Sequence, residues 1–140
     1  MMLPRGPNEG LLLVRTDYSD EDAWRRALEA ATAVYPDDDW RMGAPLRPVE
    51  SADLNALAAA DIVQLQREGY LSAVAVADAQ TMRDGTIMFL DLNEFSEQVG
   101  RTFRAIPQEV EPITANLYLA NMDFRDFADS ADDDGTFRGF

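Results

Sequence analysis

Apolar residues along this chain gather in two kinds of run. Residues 11–16 (LLLVRT), 72–77 (SAVAVA) and 87–92 (IMFLDL) are apolar without alternation, which marks strands covered on both faces. Residues 102–106 alternate more clearly, and so do Leu117 and Leu119 around Tyr118, so both read as further strands. Residues 46–50 contain Pro48, which suits an edge strand and argues against a central one. Between these runs the spacing becomes helical. Trp24, Ala27, Leu28, Ala31 and Val34 form one stripe, with Ser19 as N-cap, Asp22 completing a capping box, Asp20 and Glu21 at the positive end of the dipole, and Pro36 as the stop. Ser51 caps a second helix predicted over residues 52–68, with Leu54, Leu57, Ala58, Ile62 and Leu65 on one face, a break near Ala60 and Gly69 at its end. Pro107 opens a short helical turn that Pro112 curtails, and Asn121 or Asp123 caps a last helix bearing Phe124, Phe127, Ala128 and Ala131.

Doubly covered strands alternating with amphipathic helices predict an α/β fold: one domain with a mixed or mostly parallel sheet of about five to six strands and helices on both faces. Strands 72–77 and 87–92 are joined by only about nine residues, read as a polar turn around Arg83, Asp84 and Gly85; that is fewer than a parallel crossover needs, and the two strands are expected to be antiparallel. Residues 1–10, with two prolines and two glycines, are expected to form a flexible arm, leaving 11–140 as the domain. Residues 35–50 (YPDDDWRMGAPLRPVE) read as a long excursion.

Length adds one constraint. At 140 residues and 46% hydrophobic, the chain can build one core but not two ordinary ones. Charge changes the functional picture more. A formal net charge of −14 disfavours nucleic acid and anionic membrane, whose binding depends on basic residues, and favours a basic or cationic protein partner. No apolar run reaches the ~18 residues of a membrane span, and MMLPRGPNEG lacks the apolar centre of a signal peptide, so a cytoplasmic location is expected.

The chain has no Cys and no His, and all twelve basic residues are Arg. That composition excludes thiol nucleophiles, imidazole bases, the usual serine triad, zinc sites built on N or S ligands, Schiff-base lysines and the Walker lysine. Carboxylate chemistry remains, with Asp and Glu as acid, base or ligand to Mg²⁺ or Ca²⁺.

Several segments carry a family resemblance: Arg15-Thr16-Asp17, an aromatic residue and Ser19-Asp20 leading to Trp24; Gly100-Arg101-Thr102-Phe103-Arg104; Ala120-Asn121-Met122-Asp123-Phe124; and Asp134-Gly135 followed by Phe137-Arg138-Gly139-Phe140. With these the chain resembles a set of small acidic bacterial proteins classed as a domain of unknown function, over nearly its whole length. The resemblance implies a single α/β domain in a bacterial cytosol. It implies no activity and brings no functional residues.

Three candidate sites remain. Aligning Gly135 with the sixth position of a calcium loop places Asp134, Asp132 and Ser130 at its ligand positions, but Phe140 falls one position short of the bidentate Glu, so the expectation is a loose calcium turn or a solvated acidic turn. Asp17, Asp78 and Asp91 each lie at or beyond the end of an apolar strand and would converge on Mg²⁺ if those strands were parallel and adjacent; antiparallel pairing would separate Asp78 from Asp91. Asp37, Asp38, Asp39, Trp40 and Met42 have the composition of a partner-binding patch, with the alternative that Trp40 pins its own loop to the core. Arg101, Arg104 and Arg138 either gather as an anion site or pair with neighbouring carboxylates. The leading functional expectation is a non-catalytic binding, accessory or immunity- or inhibitor-like protein acting on a protein partner. A divalent-metal carboxylate enzyme with phosphoryl or hydrolytic chemistry is the alternative, and an oligomerising structural subunit is the third.

Overall fold

The computed structural model describes residues 1–36 and 43–140. Its centre is a six-stranded mixed sheet of β2 (Leu11–Arg15), β3 (Leu46–Val49), β5 (Ala73–Ala77), β6 (Ile87–Asp91), β7 (Thr102–Ala105) and β8 (Thr136–Phe137) in the order β3-β2-β5-β6-β7-β8. β2 runs parallel to β3 and β5, β6 is antiparallel to both β5 and β7, and β8 returns parallel to β7. The short β5–β6 link thus produces the antiparallel pair expected of it, and Pro48 lies on edge strand β3.

The unbroken apolar strands supply two cores, one on each face. Leu11 and Leu13 of β2, with Ala73, Ala75 and Ala77 of β5, point to one side; Leu12, Val14, Val74 and Val76 point to the other. The alanine face lets helices approach closely. It is covered by α1 (Glu21–Thr32), α3 (Ala79–Asp84), α4 (Pro107–Tyr118) and α5 (Phe124–Ala128), through side chains such as Trp24, Val110, Ile113 and Phe127. The valine face is covered by a 3-10 turn at Ala52–Leu54, by α2 (Ala59–Val63), and by a two-stranded parallel sheet of β1 (Met2–Leu3) and β4 (Gln66–Arg67). Within the segment expected to be a flexible arm, Leu3 is fully buried. Each fully buried Leu, Val or Phe contributes about 1.5–3 kcal/mol relative to exposure.

Four elements depart from the expectation. Residues 107–118 form one twelve-residue helix, α4, where a short turn followed by a strand at Leu117 was expected. Its buried residues Val110, Ile113, Thr114 and Leu117 recur at helical spacing, and that stripe outweighs the single hydrogen bond that Pro112 cannot donate. The second helix shrinks to α2, because the chain turns at Ala56, whose φ of 65° is left-handed and whose N–H donates to the Thr16 carbonyl at 2.8 Å. Residues 79–84 are helical rather than a plain turn, capped by Asp78 and closed by Gly85 at φ 78°. Asp20, not Ser19, caps α1, accepting from Ala23 N–H at 3.0 Å.

Candidate functional site

β2, β3, β5 and β7 share a direction, so their carboxyl ends form one rim of the sheet. Arg15 closes β2 there. It is 1% exposed, its guanidinium lies 4.4 Å from the Tyr18 ring centre and 4.9 Å from that of Trp24, and Nη1 reaches Glu21 and Glu50 at 2.7 Å each. Burial alone disfavours its charge, but the hydrogen bonds to Glu50 and Glu21 prevail and hold its pKa above the ordinary value. Asp17 accepts from the Ser19 hydroxyl and N–H, which hold its carboxyl below the usual range. Asp78 caps α3 and is ion-paired with Arg104, which also donates to the Thr86 hydroxyl at 3.2 Å. Burial would raise the Asp84 pKa, yet hydrogen bonds from the Thr86 hydroxyl and N–H and from Gln80 lower it overall. On this rim, then, Arg15 and Arg104 are ion-paired, while Asp17 and Asp84 are held by neutral hydrogen-bond donors.

Asp91 lies at the opposite edge, because β6 is antiparallel to β5. Asp17 and Asp78 share the carboxyl-end rim, and Asp91 does not join them. The acidic turn is also occupied: Arg138 donates to Asp132 at 2.7 Å and to Asp134 at 2.7 and 3.2 Å, using oxygens that a cation would need. Hydrogen bonds from Arg138, then from Thr136 N–H, bring the Asp134 pKa down to about 2. Gly135 supplies the left-handed residue of this turn at φ 82°. Arg101 pairs with Asp129, so the three arginines near the chain's end bind carboxylates separately and do not gather as an anion site. Among the described residues, no group of three or more Asp or Glu side chains is placed to hold one metal ion. Asp37, Asp38, Asp39, Trp40 and Met42 lie outside the described residues.

A concave feature lies at the amino end of β5. A hollow of about 610 Å³ is walled by the 93–98 loop, the end of α4 and the start of α5, with Asp91 on its lining. A second hollow, of about 240 Å³, runs toward Gly6–Gly10 and shares Tyr70, Ser72, Ala73 and Tyr118 with the first, so the two adjoin as the larger and smaller parts of one trough. Asp91 is 3% exposed; its carboxylate accepts from Asn93 N–H at 2.9 Å and the Ser96 hydroxyl at 3.3 Å and, among the described residues, meets no basic side chain. Tyr70, on the lining, is 62% exposed, and its ring centre lies 6.4 Å from that of Phe95, which is 88% exposed. Sequence reading considered Asp91 but passed over Tyr70, Phe95 and Tyr118. The available signal was Phe95 standing alone in the polar stretch NEFSEQVG, the same kind of isolation that drew attention to Trp40.

Residues 10–140 match the family described as a domain of unknown function, DUF6924. The chain belongs to that family. No curated protein and no solved structure matches this DUF6924 chain. Among its described residues no helix is long and apolar enough to cross a membrane.

Proposed function

We propose that this DUF6924 protein is a non-catalytic binding protein whose partner is a basic protein. The observation that carries this reading is the distribution of its charge. Arg15, Arg67, Arg101, Arg104 and Arg138 are each held against carboxylates of the same chain. The chain carries 26 acidic against 12 basic residues, and Glu9, Asp53, Glu97 and Asp133 are exposed with no basic partner among the described residues. Such a surface speeds encounter with a positively charged protein and rejects anionic ones. Of the candidate metal carboxylates, Asp78, Asp132 and Asp134 are tied to arginine, Asp17 is held by Ser19, and Asp91 lies at the opposite edge of the sheet, an arrangement that favours the binding reading over the enzyme alternative.

The test is affinity capture from cells of the source organism on the immobilised chain, followed by a salt gradient. A basic protein retained at low ionic strength and released as salt rises fits the reading. Retention only of partners that are indifferent to salt, or of acidic ones, contradicts it.

A further inference from the structure

We infer that the trough at the amino end of β5 is the seat of that interaction, and that it takes an arginine- or lysine-bearing segment of the partner in extended form. This rests on the binding reading above and gives it a place. Four observations agree. The trough is elongated, because its two hollows share Tyr70, Ser72, Ala73 and Tyr118. An extended segment spans such a pair of adjoining hollows, whereas a compact ligand would occupy only one of them.

The second observation is charge. Asp91, Glu97 and Asp123 line the larger hollow against Arg125 alone. Asp91 is the most telling of them, since its nearly buried carboxylate is oriented by Asn93 and Ser96 and lacks a cationic partner. A guanidinium or ammonium entering the trough would supply one. Thirdly, the carboxyl end of α4 borders the hollow at Leu117 and Tyr118, and its last turn holds no basic residue, so the negative end of the helix dipole is left for a visiting cation.

The fourth observation is the rim. Tyr70, on the lining of both hollows, and Phe95, whose ring lies beside it, are both largely exposed, and aromatic faces attract arginine both by stacking and by cation–π contact. The backbone there is also held in an uncommon state: Ala120, on the trough wall, has φ 56°. Its N–H bonds to Leu117 O and Asn121 N–H to Asn116 O, a Schellman end built on alanine where glycine is usual.

The probe is a short acetylated and amidated peptide in which arginine alternates with serine, titrated into the ¹⁵N-labelled full chain, with a citrulline peptide as the uncharged control. Expected are saturable amide shifts at Tyr70, Ser72, Asn93, Ser96 and Ala120, absent with citrulline and weakened at least about tenfold in Asp91→Asn. Because Asp91 also holds the loop through Asn93 and Ser96, the double variant Tyr70→Ser with Glu97→Gln, at exposed positions, is titrated alongside and is expected to weaken binding similarly. Shifts spread over the carboxylates of the other end of the sheet would overturn the placement while leaving the basic-partner reading standing. Absence of any shift would overturn both.

Discussion

Arg15, buried at the end of β2, donates from Nη1 to Glu50 Oε1 at 2.7 Å, joining the carboxyl ends of two parallel neighbours. The two partners are unequal, since the Arg15 side chain is 1% exposed and that of Glu50 49%. Removing the exposed partner is cheap. Glu50→Gln is expected to cost under about 1 kcal/mol, because a half-solvated ion pair contributes little. Arg15→Ala is expected to cost about 2–4 kcal/mol, because the stem and guanidinium fill the space between Tyr18 and Trp24. Urea unfolding of both variants checks this; equal losses would contradict it.

Ala120 makes a prediction of opposite sign. A left-handed alanine is strained by about 1–2 kcal/mol, partly offset by the lower entropy of its unfolded chain. Ala120→Gly is therefore expected to stabilise the protein by about 0.5–1 kcal/mol, and Ala120→Val to destabilise it by more than that. Thermal unfolding of the pair decides the matter, and a glycine variant less stable than wild type would contradict the assigned backbone.

The aromatic end of the chain separates core from surface. Phe127 is 2% exposed and meets Phe137 edge-on at 5.4 Å, whereas Phe140 is 81% exposed although its ring lies 5.0 Å from Phe137. Phe127→Ala is expected to cost about 3–5 kcal/mol. Phe140→Ala should cost less than about 1 kcal/mol. Comparable losses in chemical denaturation would show that the tail is part of the core.

Asp134 carries a prediction about pH. Its folded pKa, about 2, lies below the ordinary 3.8, so the Arg138 clamp stabilises the fold while the carboxylate is charged. That contribution is complete above the unfolded value of about 4 and is lost as pH falls through the folded value. A carboxyl NMR titration should find Asp134 still ionised at pH 3. A midpoint near the ordinary value would contradict the clamp seen at 2.7 Å.

Much of this fold was legible because burial on two faces leaves an unbroken apolar run. Residues 11–16, 72–77 and 87–92 all became strands, and the short link between the last two dictated their antiparallel pairing. The misreadings have local causes. Leu117 and Leu119 alternate like a strand, but Leu117 is 9% exposed and Leu119 55%, and it is the spacing Val110, Ile113, Leu117 that the core reads. The break in the second helix depends on Ala56 reaching the Thr16 carbonyl across the fold, which no local pattern announces. The trough was less legible still. Tyr70, Asp91 with Phe95, and Tyr118 come from three separate segments and are brought near one another only when β5 and β6 bring their loops beside α4.

The most direct measurement compares calorimetric binding of the arginine–serine peptide to two charge reversals at exposed carboxylates. Glu97→Arg alters the trough wall, and Asp53→Arg alters the far end of the sheet beside Ser51. If a basic segment is seated in the trough, Glu97→Arg weakens binding at least about tenfold and Asp53→Arg changes it by less than about twofold at physiological salt. Equal losses from both variants, or a greater loss from Asp53→Arg, would mean that the trough is not where this protein meets its partner.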